Sequence, residues 1–447
     1  MSAIERPRFS CMLGGALATI AALPRVAPIV HASQGCGGNL FSAAFAGSGY
    51  YGSGYCSGNS VSSSGLLEKD IVFGGTDRLD EQIRTTFEVI DADLFIVTTS
   101  CMSEIIGDDI RGVTNSFNET GENPPLFYIE TAGFSGNSYK GYERVIGGLF
   151  EYFIKPVAQK NPKLVNIFGI VPSYDPFFRG ELEEIQRLLS ALGLEVNTFF
   201  TPDQTIDNIK AAGEAALNIT FSSVYGISEL EAVKISHGIP YEIFDLPVGA
   251  QATRDFLVRL SELLPVQENV LKKTLDREFE RYYAYVEHTL DLYADSDFQF
   301  YAVLVSNANR AVSFTKYLID EIGWIGKYVF ITDELDEDQK QALQDRFNGY
   351  HFSTQPELIF ETDGEKIIKY FTKQFPQFVS DRYFDAFSPA YILGSSLEKD
   401  FAGIIGANLL TVSFPITDRL IVGRGYAGFN GGLALLEDLI GKVISVR

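Results

Sequence analysis

Three cysteines near the beginning of the chain are the side chains best suited to chemistry. Cys11, Cys36 and Cys101 each stand at a predicted helix start, and glycines lie close to the first two. A thiol at a helix N-terminus faces unpaired amides and the positive end of the helix dipole, which favour the thiolate. Iron–sulfur clusters are held by thiolates, and adjacent glycines let the backbone approach a cluster closely. The three cysteines are therefore candidate cluster ligands.

The spacing of the cysteines along the chain leaves other roles for these thiols open. Three buried thiols that simply fill a core are the main alternative, because scattered cysteines are less specific than paired ones. Zinc is disfavoured because His31 is the only nearby histidine, and we expect its side chain to be buried and hydrogen-bonded. Cys56 lies in a polar loop without a following helix and is predicted not to be a ligand. Nothing in the sequence pairs Cys101 with a histidine as in a nucleophilic site.

The elements around the cysteines alternate between strands and helices. We predict a helix at 11–23, a buried strand at 26–30, and a glycine-rich turn at Cys36 before a helix at 39–45. Further strands are predicted at 71–73 and 94–98, with a helix at 105–117, and the last helix at 433–444. Cys101 then stands at the carboxyl end of a strand, where parallel sheets bind their ligands.

The same alternation continues to the end of the chain and predicts an α/β fold. We expect three tandem Rossmann-like domains with parallel sheets. Their predicted bounds are 1–162 for a cluster-binding domain, 163–268 for a second domain, and 269–447 for a third domain with a C-terminal return segment.

Composition narrows the class of protein. The chain has 447 residues, is 46% hydrophobic and carries a formal net charge of -22, which argues against binding nucleic acid or an anionic membrane. Four cysteines are too few for a disulfide framework and predict a reducing, cytoplasmic location. Pro24, Arg25 and Pro28 interrupt the apolar run that begins at Met12, so we do not interpret it as a signal peptide. The phosphate-binding pattern GxxxxGK[ST] is absent, so any ATP use belongs to a partner.

Several longer motifs resemble those of the nitrogenase component 1 superfamily. They follow the family's order from near residue 8 to near residue 440 and are, in sequence, Cys11-Met12-Leu13-Gly14-Gly15-Ala16, His31-Ala32-Ser33-Gln34-Gly35-Cys36, Thr98-Thr99-Ser100-Cys101-Met102-Ser103-Glu104-Ile105-Ile106-Gly107-Asp108-Asp109, Gly133-Phe134-Ser135-Gly136-Asn137-Ser138-Tyr139-Lys140-Gly141-Tyr142, Phe414-Pro415-Ile416-Thr417-Asp418-Arg419 and Gly425-Tyr426-Ala427-Gly428.

This resemblance implies a fold of three α/β domains and a homologous α-type partner, in an α2β2 heterotetramer. It implies that Cys11, Cys36 and Cys101 are one chain's ligands to a P-cluster-type iron–sulfur centre, [8Fe-7S] or related, at the interface with that partner. An ATP-dependent iron protein is the implied electron donor. The substrate-reducing metallocofactor is implied to lie in the partner chain only.

The resemblance also indicates which of the two chains this is. No cysteine follows Cys101, and Arg424 rather than histidine precedes Gly425-Tyr426, so the chain is similar to the β-type subunit. We therefore expect a subunit of an oxidoreductase that relays electrons through the shared cluster, with no catalytic residue of its own. A scaffold subunit for cofactor assembly is one alternative, and a non-redox Rossmann-like binding protein with buried cysteines is another.

Three departures from the family pattern bear on the substrate. Gly133 stands where β chains often carry a serine, and whether a residue near it takes part stays open. Asn39 replaces a common aromatic residue, and only ten residues precede Cys11. Dinitrogen and a methylthio-alkane C–S bond are both compatible substrates, and a vanadium or iron-only nitrogenase also fits.

Overall fold

Every sheet in the described part of the protein is parallel, as the alternation of strands and helices predicts. The computed structural model describes residues 4–49, 61–119, 121, 123–295, 300–374 and 391–444, so Cys56 lies outside the described residues. The first sheet has the order β2-β1-β3-β4 and the second the order β6-β5-β7-β8. The third sheet has the order β11-β10-β9-β12-β13. The predicted fold class is confirmed, whereas the three predicted domains and their bounds stay a prediction.

The strands are mostly short and buried. Their bounds are β1 Val26–His31, β2 Ser62–Ser63, β3 Leu94–Thr99, β4 Leu126–Ile129, β5 Asn161–Phe168, β6 Glu195–Asn197, β7 Ala215–Thr220, β8 Tyr241–Ile243, β9 Tyr301–Ser306, β10 Ile325–Ile331, β11 Glu357–Phe360, β12 Tyr391–Gly394 and β13 Asn408–Thr411. Continuous apolar runs such as β3, buried along its whole length, are typical of parallel strands covered on both faces.

Helices connect these strands and cover both faces of the sheets. Their bounds are α1 Met12–Ala22, α2 Gln34–Ala46, α3 Glu68–Phe73, α4 Thr76–Val89, α5 Cys101–Ile106, α6 Ile110–Glu119, α7 Ser138–Gly148, α8 Phe178–Ala191, α9 Ile206–Ala211, α10 Ile227–His237, α11 Ala250–Leu263, α12 Glu268–Asp295, α13 Ala308–Lys316, α14 Glu337–Gly349, α15 Gly364–Gln374, α16 Lys399–Ile405 and α17 Gly428–Ile444. None of the helices in the described ranges combines the length and the apolar character needed to cross a membrane.

The first sheet places two of the candidate cysteines at neighbouring strand ends. β1 pairs with β3 along its whole length, with His31 opposite Thr99 at the carboxyl ends. The chain leaves β1 toward β2 on one side, and β4 lies on the other side of β3. Connections that diverge in this way open a crevice beyond the carboxyl ends of the two central strands. Cys36 and Cys101 follow these two strands, so both of their helices begin at this edge of the sheet.

Helix α1 is pressed against α7 with almost no side chain between them. A Cβ atom on Gly15 would overlap the backbone of Ser138, and one on Gly141 would overlap the backbone of Met12 and Ala16. Only glycine permits this approach. The contact fixes the N-terminus of α1, where Cys11 lies, relative to the loop that precedes α7.

Residues 4–10, here called the N-terminal strap, run from Cys11 across to the third sheet. The backbone amides of Glu5 and Arg6 donate to the carboxylate of Asp363 at 3.2 and 3.3 Å. The buried guanidinium of Arg8 pairs with Glu398 and donates to Ser395 Oγ at 2.9 Å. The chain just before Cys11 is thus held by residues close to the other end of the sequence.

Four local predictions differ from the structure. Residues 71–73 belong to helix α3 and not to a strand, because the amide of Leu67 donates to Asp70 Oδ2 at 2.9 Å and closes the first helical turn. Helix α2 begins at Gln34, so Cys36 lies within its first turn. The single helix predicted at 105–117 is two helices separated near Gly107, which adopts a left-handed conformation (φ 78°). Helix α17 begins five residues earlier than predicted.

Candidate cluster site

Cys101 is the first residue of α5 and its side chain is exposed. The preceding Ser100 accepts a hydrogen bond from the amide of Ser103 at 3.3 Å, and Ser103 Oγ accepts one from the amide of Ser100 at 2.8 Å. This reciprocal cap satisfies two amides that a helix start leaves without partners. Cys101 therefore projects from a rigid helix terminus directly after the buried strand β3.

Residues 131–137, here called the glycine loop, hold the start of α5 from the side. Three consecutive amides of this loop donate toward it: Thr131 to Thr99 Oγ1 at 2.7 Å, Ala132 to Glu104 Oε1 at 3.1 Å, and Gly133 to Cys101 Sγ at 3.1 Å. The last of these is a hydrogen bond to the sulfur itself. Backbone donors of this kind stabilise negative charge on a thiolate.

Gly133 lies between two of the candidate ligands. A Cβ atom at this position would stand 3.0 Å from Cys11 Cβ, 3.4 Å from Cys11 Sγ and 3.2 Å from Cys101 Sγ. The structure therefore brings Cys11 and Cys101 together around one glycine, although ninety residues of sequence separate them. A side chain here would occupy the space beside both sulfur atoms.

Cys11 is held at the N-terminus of α1 by the other end of the glycine loop. It forms a bridge with Asn137, and the amide of Met12 donates to the carbonyl oxygen of Gly136 at 2.8 Å. Its backbone is extended (φ -71°, ψ 173°), so the helix begins directly after it. The glycine loop thus contacts the backbone of Cys11 and the sulfur atom of Cys101.

Cys36 reaches the same region from α2. Ser33 Oγ lies 3.7 Å from Cys36 Sγ, and the amide of Cys36 donates to the carbonyl oxygen of Ser33 at 3.2 Å. Cys36 and Cys11 both contact one small apolar group, which consists of Leu13, Leu17, Val30, Ala32 and Phe41. Cys11 and Cys101 stand at helix starts as predicted, and Cys36 lies within the first turn of α2.

The donors present fit an iron–sulfur cluster. All three thiols are free, a backbone amide already points at one sulfur, and Gly133 leaves open the space that a Cβ would take. Within the described ranges, no three His, Cys, Asp or Glu side chains stand close enough to hold one metal ion. A cluster with several irons takes its thiolates at different iron atoms, so its ligands need not converge on one point.

The site borders the protein surface on two sides. A cavity of about 480 Å³ opens beside Cys11 and is lined by the glycine loop, Lys140 and the N-terminal strap. Around Cys101 the surface is apolar: Phe134, Ile105, Val72 and Phe73 expose 64, 76, 74 and 87% of their surface. Such a group of large exposed apolar side chains is typical of a protein–protein contact.

His31 is buried and hydrogen-bonded, as the sequence predicts. Its Nδ1 lies 3.0 Å from Ser64 Oγ, and its Nε2 lies 2.9 Å from Asp108 Oδ2. Burial lowers the pKa of His31, and the neighbouring carboxylate of Asp108 partly offsets that effect. We did not predict the partner Asp108 from the sequence, because a contact across 77 residues has no local signal.

Comparison with known proteins assigns the chain to a family. The family model described as "Nitrogenase component 1 type Oxidoreductase" matches residues 11–444. The chain therefore belongs to the nitrogenase component 1 family of oxidoreductases, as its motifs predict.

The similar curated proteins are β-type chains of this family. The chain is 28% identical over 284 residues to a nitrogenase molybdenum-iron protein beta chain of Sinorhizobium fredii, an alignment covering 58% of this chain and about half, 53%, of that one. It is 23% identical over 481 residues to the beta chain of Methanococcus maripaludis, covering 99 and 95% of the two chains. The solved structure "Nitrogenase Cp1 at pH 6.5" shares the fold, with a TM-score of 0.80, 18% identity, and coverage of 100 and 94%.

Proposed function

We propose that this chain is the β-type subunit of a nitrogenase-like component 1. In this proposal Cys11, Cys36 and Cys101 are its ligands to a P-cluster-type iron–sulfur centre, [8Fe-7S] or related, shared with a homologous α-type chain. The observation that carries the proposal is the convergence of Cys11 and Cys101 on Gly133, with a backbone amide directed at one of the sulfurs. Core thiols with no ligand role would not need the space that Gly133 leaves beside the two sulfur atoms.

The residues of this chain have distinct tasks in such a site. The three thiolates bind iron from three different helix starts, and the Gly133 amide stabilises charge on Cys101 Sγ. The apolar group beneath Cys11 and Cys36 keeps water from that side. When bound, the cluster supplies one-electron transfer between an ATP-dependent iron protein and a metallocofactor of the partner chain.

The surface around Cys101 supports the need for a partner. Cys101 is exposed, and the large apolar side chains of Val72, Phe73, Ile105 and Phe134 stand in solvent in the isolated chain. A homologous chain with an apolar face would cover these side chains and complete the ligand set. We propose an α2β2 assembly in the reducing cytoplasm, where the three free thiols stay reduced.

In this proposal the substrate binds at the metallocofactor of the partner chain. A small molecule such as dinitrogen or a methylthio-alkane with a reducible C–S bond fits the assignment. No residue of this chain is assigned a catalytic role.

The test is anaerobic co-purification of the chain with its homologous partner, followed by iron and acid-labile sulfide analysis and EPR. We expect a brown complex whose iron falls when Cys11, Cys36 or Cys101 is replaced by Ala. Cys56→Ala is the matched control and should keep its iron, because Cys56 is predicted not to be a ligand. An iron-free complex that still pairs, or equal iron in all four variants, contradicts the proposal.

A further inference from the structure

One buried contact ties together the segments that carry Cys36 and Cys101. His31 is the last residue of β1, five residues before Cys36, and Asp108 follows α5, seven residues after Cys101. His31 Nε2 lies 2.9 Å from Asp108 Oδ2, and the two side chains are 0 and 2% exposed. The strands themselves are already paired up to His31 and Thr99. The contact therefore joins the end of β1, which precedes the Cys36 helix, to the segment that follows the Cys101 helix.

The hydrogen bonds around this pair are complete when His31 is neutral and Asp108 is ionised. The amide of Gly75 donates to Asp108 Oδ1 at 2.8 Å, which leaves Oδ2 to accept from His31 Nε2. Ser64 Oγ accepts from the amide of Ala32 at 3.2 Å, and its hydroxyl lies nearer to His31 Nδ1, at 3.0 Å, than to the Ala32 carbonyl oxygen, at 3.4 Å, so it donates to Nδ1 when that nitrogen carries no proton. This assignment of the imidazole proton follows from the network. Burial, which lowers the pKa of His31, favours the same neutral state.

The Ser64–His31–Asp108 order resembles a nucleophilic triad, but its burial argues against that role. Ser64 is 4% exposed and His31 is fully buried, so no substrate reaches the hydroxyl. A nucleophile must stand within reach of the bond it attacks. The contact therefore serves to position the neighbouring segments and the groups that they bind.

We propose that His31 and Asp108 are positioning residues of the cluster site, which fix the Cys36 helix relative to the Cys101 helix and place one buried negative charge beside them. The inference rests on the proposed function. Residues that orient metal ligands without touching the metal tune its affinity and its potential. A fixed negative charge disfavours adding an electron, so Asp108 lowers the reduction potential of a cluster bound by these cysteines.

Two substitutions separate the effect of the His31–Asp108 contact on position from the effect of the Asp108 charge. In Asp108→Asn the side-chain amide can donate to His31 Nε2 if the imidazole proton moves to Nδ1, so the contact persists without its charge. We expect a more positive midpoint potential with an unchanged EPR line shape. His31→Leu removes the contact at similar volume. We expect an altered line shape and iron loss to a chelator that is ~10-fold faster than in the unmodified complex.

The measurements use the anaerobic complex with its partner chain. His31→Gln keeps a donor toward Asp108 and should restore part of the original line shape. His237→Leu is the matched control, because His237 is also buried and hydrogen-bonded, to Ile154 O at 3.1 Å, but belongs to the second sheet region. It should leave potential and line shape unchanged.

The outcomes distinguish the two proposals. An unmodified complex without iron overturns the proposed function and this inference with it. An iron-containing complex in which Asp108→Asn and His31→Leu both keep the original potential and line shape overturns the inference alone. If His31→Leu does not fold, Asp108→Asn still decides, because its contact is preserved.

Discussion

Gly133 is the residue at which two of the proposed ligands meet, and in this chain a side chain there would crowd both of them. A Cβ would stand 3.0–3.4 Å from three atoms of Cys11 and Cys101, closer than ordinary contacts allow. The two cysteines would have to move apart, or the glycine loop would have to shift and lose its hydrogen bond to Cys101 Sγ.

We therefore expect Gly133→Ala to weaken iron binding without unfolding the chain. Iron should be lost to a chelator ~10-fold faster than from the unmodified complex, a size typical of changes next to metal ligands. Gly35→Ala is the matched control, because Gly35 adjoins Cys36 and a Cβ there would meet Asn39 Nδ2 at an ordinary 3.8 Å. Equal rates in the two variants would show that the space beside Gly133 is not needed.

At this scale the sequence predicts the identity of the candidate ligands but not their geometry. The types and neighbours of Cys11, Cys36 and Cys101 indicate thiolates at helix starts, which is a local property. The approach of Cys11 to Cys101 depends on the glycine loop and on the tight contact of α1 with α7. Neither follows from the spacing of the cysteines along the chain.

The contact between α1 and α7 is the element-scale feature that sets the position of Cys11. The two helices approach so closely at Gly141 that backbone lies against backbone. Overpacked substitutions at such places destabilise proteins because no neighbouring atom is free to move.

Gly141→Ala should lower the free energy of unfolding by about 3 kcal/mol, the upper part of the range for overpacking. Gly441→Ala is the opposite case: Gly441 is an exposed position of α17, and a Cβ there meets no described atom within 4 Å. Because alanine is the better helix former, that change should raise the free energy of unfolding by about 1 kcal/mol. Urea denaturation of both variants measures the difference, and a shift of the same sign in both would contradict this account.

Helix α3 shows why one element escaped prediction. The run Ile71-Val72-Phe73 is typical of a buried strand because its residues favour strands. In the structure Val72 and Phe73 are among the most exposed apolar side chains of the described chain, and the capping contact at Asp70 makes the segment helical. A sequence argument that assumes apolar residues are buried fails where those residues lie on an exposed surface.

At the scale of the whole molecule, a buried polar contact joins the second and third sheet regions. Tyr225 donates to Asp333 Oδ1 at 2.8 Å. Burial raises the pKa of Asp333 to about 7, although Tyr225 and the amide of Ala308 stabilise its charged form. The folded chain therefore holds a proton on Asp333 that the unfolded chain releases at lower pH.

The sign of the resulting pH dependence follows from linkage. Between about pH 4, where an unfolded aspartate titrates, and about pH 7, the folded state binds more protons, so stability falls as pH rises. Asp333→Asn should reduce this fall, because asparagine does not titrate. Asp91→Asn is the control, since Asp91 is exposed and Arg25 lowers its pKa. Urea midpoints recorded from pH 4 to pH 7.5 measure the effect, and parallel curves for the unmodified chain and Asp333→Asn would contradict it.

The N-terminal strap provides a second test at this scale. Arg8→Ala leaves the buried carboxylate of Glu398 without its cation, and losses of this kind cost about 3–5 kcal/mol. The double change Arg8→Met with Glu398→Leu replaces both charges with apolar side chains and should recover most of that loss. Thermal unfolding of both variants measures the difference. If the double variant is no more stable than Arg8→Ala, the ion pair is not the reason for the loss.

The strap also sets an order in time for the making of this protein. Arg8 is translated well before its partner Glu398, which lies 390 residues further along the chain. Until Asp363 and Glu398 have been translated, neither carboxylate can hold the segment that leads into Cys11. The strap can therefore take its folded position only after the third sheet region has been synthesised.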